Sequence, residues 1–219
     1  MREWLIAHYD VLKDFAGPTV TLVGFAITIV LAVIGFKTFG RWKREKIEEK
    51  RIDIALEALS VAHESKLVFG RIRDPDGFEG EWREMAVKAG ESESDRAMRG
   101  GSYATLMRLN AHDEYFERAS RLQPKAIAVF GGGVQTPFER LNQAQKLVRE
   151  AAVHLTWRIP VHPEKPSQED FEMRMRLRGD LWTGFGKYED RVEKELVMFR
   201  SEVEAIFRPV IEREFRGQS

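Results

Sequence analysis

The chain has 219 residues, with 35 basic and 35 acidic side chains in balance and no cysteine. That balance lacks the broad positive field of a nucleic-acid binder, and the missing thiols exclude disulfides, thiolate nucleophiles and cysteine-held metals. Charged residues make up 32 % of the chain and are mostly interspersed in sign, the pattern of solvated helix faces.

Residues 1–15 read as a short outward-facing segment. Trp4, Tyr9, Val11, Leu12 and Phe15 give it the apolar surface of an interfacial helix. From Ala16 to Phe36 there follow 21 residues without a charge. A helix rises about 1.5 Å per residue and the hydrocarbon layer is about 30 Å thick, so this run is long enough to cross it. The core helix of a soluble domain would carry a polar stripe. Here the polar residues are Thr19, Thr21 and Thr28, whose hydroxyls can bond back to helix carbonyls. A cleaved signal would begin with a basic segment, whereas residues 2–14 carry Arg2 and Lys13 against Glu3, Asp10 and Asp14. Residues 16–40 are therefore expected to be a transmembrane anchor in contact with the lipid bilayer.

Lys37, Arg41, Lys43, Arg44, Lys46, Lys50 and Arg51 crowd the exit of this run. Lys and Arg in excess stay on the cytoplasmic side, which predicts a single-pass protein with its N-terminus outside and residues 41–219 in the cytoplasm. Arg41, Trp42, Lys43 and Arg44 are the candidate membrane-interface residues. Topology alone explains the basic block; binding of anionic lipid by the same cluster is the second reading.

Beyond the anchor, helical propensity continues from Arg41 to Arg73, with Ile47, Ile54, Ala58, Val61, Val68 and Ile72 on one stripe. Asp74-Pro75-Asp76-Gly77 ends it. Residues 74–101, rich in glycine and acid, read as an irregular loop with a short helix around Trp82. A helix over 102–130 should bury Leu106, Leu109, Phe116, Ala119 and Leu122, with a kink or a fresh start at Pro124. Thr136-Pro137-Phe138-Glu139 has the form of a capping box opening a helix over 136–157. Ile159 to Ser167 is a proline-stiffened connector, and Ser167 with Asp170 caps a short helix. Over 189–215, Val192, Leu196, Phe199, Val203, Ile206 and Val210 form an a/d heptad seam. The fold class expected is all-α: one N-terminal transmembrane helix feeding a cytoplasmic antiparallel bundle of about four helices.

Motifs for chemistry are missing. The five histidines lack the Glu-x-x-His and His-Glu-x-x-His spacings of helical metal sites. Gly184 to Lys187 lacks the spacing of a phosphate loop, and Gly131 to Gly133 follows a helix and reads as its C-terminal turn. No catalytic, cofactor or metal residue is nominated. Trp182, Phe185 and Tyr188 stand at three-residue spacing on a glycine-flexed connection, Asp180 to Asp190. They either fold back over the end of the core or form an exposed aromatic patch that binds a partner or the membrane surface.

The helix "REKIEEKRIDIALEALSVAHESKLVFGRIRDPDGFEGE", the basic exit from the span, "WTGFG" and "VEAIFRPVI" together resemble an uncharacterised group of bacterial single-pass membrane proteins with a helical cytoplasmic domain. The resemblance implies a bacterial inner-membrane setting and carries over no functional residue. Three functions follow as expectations. The first is a membrane-tethered interaction or scaffold module, with a protein partner or self-association through its helices and no nucleic acid or cofactor. The alternatives are a regulatory or sensory transducer coupling anchor to bundle, and an enzyme without a recognisable motif.

Overall fold

A computed structural model describes residues 2–76, 79–159, 167–184 and 189–217, with side chains described between Val20 and Arg213. The described residues are mostly helical, without a strand. Six α-helices follow in order: α1 (Arg2–Ile72), α2 (Glu93–Ala111), α3 (Asp113–Phe130), α4 (Gln135–Val153), α5 (Gln168–Leu181) and α6 (Arg191–Gly217). A 3-10 turn covers Glu79–Trp82, another covers Gly132–Val134, and a π-turn covers His154–Arg158.

The chain divides into two compact units, Met1–Lys50 and Arg51–Ser219. In the first, Val20 to Phe39 is exposed helix without a tertiary core, and Thr28 satisfies its hydroxyl by donating to the Gly24 carbonyl at 2.8 Å. Ile47, expected on the core stripe, is 52 % exposed.

The second unit buries a continuous core. From α1 it takes Ile54, Ala55, Ala58, Val61, Ala62, Val68, Phe69 and Ile72; from α2 and α3 come Leu109, Phe116, Ala119 and Leu122. Phe138, Leu141, Ala144 and Val148 of α4 meet Val192, Leu196, Phe199, Val203 and Phe207 of α6. Specific pairs lock these helices together. Phe69 meets Phe116 edge-on at 5.9 Å, Phe130 meets Phe207 at 5.1 Å, and the Tyr115 hydroxyl donates to the Val61 carbonyl at 3.0 Å. Burial pushes the Tyr115 phenol well above its ordinary range, so it stays a neutral donor.

Four expectations change. The segment 102–130 is two helices, because the chain turns at His112, whose Nδ1 lies 2.8 Å from the Arg108 carbonyl oxygen. Pro124 does not divide it; α3 runs through, and the Ser120 carbonyl forgoes its intrahelical donor. The irregular stretch ends earlier than 101, since Ser92 caps α2 by accepting from the Asp95 N–H at 3.1 Å. The Thr136 capping box is absent. The 3-10 turn at Gly132–Val134 leads straight into α4, Val134 stands at the N-cap, and Gln135 donates to Glu139 at 2.6 Å. Pro137 is tolerated there because the first-turn N–H groups have no intrahelical acceptor anyway. The Ser167–Asp170 capping box forms in full, but α5 continues to Leu181.

The core predicts its own weak point. Phe199→Ala removes a fully buried ring that packs 6.4 Å from Phe138. Urea unfolding followed by circular dichroism should show a loss of about 3–5 kcal/mol. Phe171→Ala, on the exposed face of α5, should stay within about 0.5 kcal/mol of the parent.

Candidate functional site

Two places on the chain gather chemistry: the exit of the apolar helix in the first unit, and the end of the second unit where the irregular connections converge.

At the first, Arg41, Trp42, Lys43 and Arg44 are all exposed. Arg41 donates to Glu45 at 2.9 Å and Lys46 to Glu49 at 2.5 Å, both on the helix surface. Lys37, Lys43 and Arg44 have no carboxylate partner among the described residues. Trp42 packs against Phe39 at 5.7 Å, with the rings tilted by 33°. Both rings remain more than half exposed.

The second place is organised by arginines. Arg73, just past the end of α1, is 1 % exposed. Its Nε donates to the Asp180 carbonyl at 3.1 Å, and its Nη2 lies 2.8 Å from the Gly179 carbonyl oxygen and 2.9 Å from both Asp190 carboxylate oxygens. The carbonyls that α5 leaves without intrahelical donors thus receive a cation, which the helix dipole also favours. Asp190 in turn accepts from the Glu193 N–H at 2.9 Å, at the head of α6. Asp180, 2 % exposed, pairs with both donors of the Arg191 fork. The junction between α5 and α6 is therefore held by two interlocked ion pairs.

Arg99 does the same for the connection between α1 and α2. It is 1 % exposed and forks onto Glu91, with Nε at 2.6 Å and Nη2 at 2.7 Å. Nη2 also donates to the Ala86 carbonyl at 2.8 Å, and the guanidinium lies 5.5 Å from the Trp157 ring. Arg108 forks onto Glu81 at 2.8 and 2.7 Å and reaches the Asp74 and Asp76 carbonyls, each at 2.7 Å. The two cations that anchor residues 74–91, Arg99 and Arg108, lie on α2 and face that segment only after folding.

The aromatic residues around this end close it. Gly100 and Gly101 lie inside α2, where a Cβ on Gly100 would stand 2.5 Å from Trp82 and one on Gly101 would stand 3.3 Å from Trp182. Trp182 is half-buried and packs on the cluster of Ala151, Ala152 and Leu181. Phe185 and Tyr188, its companions in the expected patch, lie outside the described residues.

Between Met98, Arg99, Ser102, Leu155, Arg174, Arg178 and Trp182 there is a cleft of 30 Å³. That volume suits a water or two, not a substrate. A larger surface groove, 590 Å³, runs past Glu64, His112, Tyr115, Arg118 and Arg121. Its charges are engaged with one another: Arg118 with Glu64, and Arg121 with Glu117 at 3.6 Å. Among the described residues no three His, Asp or Glu side chains converge as a metal-ligand set.

Glu91 sets an acid limit on this end of the molecule. The hydrogen bonds from Arg99 hold the pKa of its carboxyl at about 2, below the ordinary 4.5 of a glutamate. A carboxylate with a depressed folded pKa stabilises fully above the unfolded value and loses that contribution as pH falls through the folded one. Stability should therefore drop between about pH 4.5 and pH 2. Glu91→Gln should flatten that part of the profile. At neutral pH, Glu91→Ala should cost about 3–5 kcal/mol, since it leaves the Arg99 charge buried without its partner. Trp182→Ala should cost about 2–3 kcal/mol, less than a fully buried aromatic, read by thermal unfolding.

Comparison of the chain with protein-family models, with curated proteins and with solved structures returns no match.

Proposed function

We propose that the protein is a single-pass membrane-tethered scaffold or interaction module. In this reading residues 16–40 cross a bacterial inner membrane, the N-terminus lies outside, and residues 41–219 form a cytoplasmic antiparallel helical bundle. The observation that carries it is the part of α1 from Val20 onward, whose apolar window has a mean hydropathy of 2.3 and no buried part. Leaving so much apolar surface in water has a large cost, and a hydrocarbon layer removes it. The bundle reading is supported by the order of the pairs. Arg51 meets Phe130 at the end of α3, whereas Val61 and Glu64, further along α1, meet Tyr115 and Arg118 near the start of α3. Arg73 and His63 of the chain's first half meet Asp190 and Glu204 around α6 in the same reversed order.

Interaction is favoured over catalysis by what fills the second unit. Its core cluster is apolar, Arg73 and Arg99 are buried against carboxylates, and the cleft beside Arg99 has room for a water or two. Exposed Leu56 and Leu67, at 51 % and 66 %, stand on the outer face of α1 where a partner protein or a second copy could cover them. A regulatory transducer is the second reading, favoured by α1, a single helical element from Arg2 to Ile72 that passes Gly35 and Gly40 without a break.

A reporter that is active only in the cytoplasm should be active when fused after Ser219, and a periplasm-only reporter should be silent there. The reverse result overturns the orientation. Affinity purification from detergent-solubilised membranes should bring down a reproducible protein partner or a crosslinkable second copy, and a protein recovered alone under both conditions removes the scaffold reading.

A further inference from the structure

We propose that the exit of the apolar helix is a binding collar for anionic phospholipid head groups, built from Lys37, Arg41, Lys43 and Arg44 around the Phe39–Trp42 pair. This rests on the membrane reading above and adds the chemistry of the lipid it takes.

The arrangement goes beyond what orientation alone requires. Between Lys37 and Lys46 the helix carries five cations and a single carboxylate, Glu45. Glu45 is engaged with Arg41, which leaves Lys37, Lys43 and Arg44 without a carboxylate among the described residues. Lys37, Arg41 and Arg44 follow one another at spacings of four and three, so they form a stripe along one helix face. Lys43 lies on the other side, below Phe36 and Phe39, which are 78 % and 60 % exposed. Cations therefore reach around the helix rather than to one flank.

Their height along the axis matches a head-group layer. From Lys37 to Arg44 the helix rises about 10 Å. The polar layer of one leaflet is about 5–8 Å deep, and long Lys and Arg stems extend the reach of a charge beyond its own Cα. The ring pair marks the same level, since tryptophan sits where the apolar and wet regions meet. Arginine forks match phosphate oxygens in two-point contacts, and the lysines add point charge. A zwitterionic head group carries its own ammonium against these cations, whereas an anionic one does not. Each such cation near an anionic surface raises affinity by about fivefold.

The full-length chain would be reconstituted in vesicles of equal parts phosphatidylcholine and phosphatidylglycerol, then purified, and the retained lipids counted by mass spectrometry. Retention does not depend on which way the chain inserts, so a variant with reversed orientation reports equally well. Phosphatidylglycerol should be retained over phosphatidylcholine by about tenfold or more at low salt, with the ratio falling toward one in the Lys37→Gln/Lys43→Gln/Arg44→Gln variant and at high ionic strength. Equal retention of both lipids by a chain that resists alkaline extraction overturns the collar and leaves the anchor standing. A chain that fails to insert in these vesicles overturns the anchor and the collar together. An undiminished preference in the triple variant overturns the assignment to these residues. Displacement of the lipid by an RNA oligonucleotide would make the collar a nucleic-acid surface and overturn its lipid assignment.

Discussion

A guanidinium keeps its charge at any ordinary pH and presents donors in a rigid plane, so burying one obliges the surrounding chain to supply carbonyls and carboxylates in that plane. The second unit depends on that obligation. Its helices bury an ordinary apolar core, and the connections leaving α1 and α5 set a few apolar side chains, Met85 and Trp182 among them, beside charged groups. Arg73 and Arg99 bring order to both from within: each is fully enclosed, each forks onto or beside a carboxylate, and each also takes backbone carbonyls that no helix satisfies. Such buried pairs are weak contributors to net stability compared with apolar packing of the same volume. What they supply is a unique geometry, because the planar donors accept only one arrangement of the loop.

The two units solve the problem of apolar surface in opposite ways. In the second, α1 sets Ala55, Ala58 and Ala62 into the common core, where its Phe69 meets Phe116 edge-on. In the first, the bulky side chains from Val20 to Phe36 point in all directions around the helix and meet no partner. No single stripe could bury them against another helix. By length and composition that stretch is apolar enough to cross a membrane.

The long periodic elements were legible because a repeated stripe is a property of the local sequence. Val192, Leu196, Phe199 and Val203 are buried as their spacing requires. The seam then passes to Phe207 and leaves Ile206 half-buried, since an α-helix of 3.6 residues per turn drifts from a strict heptad. Capping was legible where it was purely local, at Ser167 and Asp170. It misled at Thr136, where the preceding glycines form a 3-10 turn and start the helix one residue sooner.

Gly100-Gly101 shows where local reading stops. Two adjacent glycines cost a helix about 1 kcal/mol each relative to alanine, which argues for a break. They lie inside α2 all the same, because Trp82 and Trp182 occupy the space their missing side chains leave. The sequence by itself determined the helical class, the apolar run and its basic collar, since each is a matter of neighbours a few residues apart. The course of residues 79–92, the burial of Arg73 and Arg99, and the helix through the glycine pair were decided by the tertiary structure. Their partners lie 8 to 117 residues away along the chain, and only packing brings the charges and rings within reach.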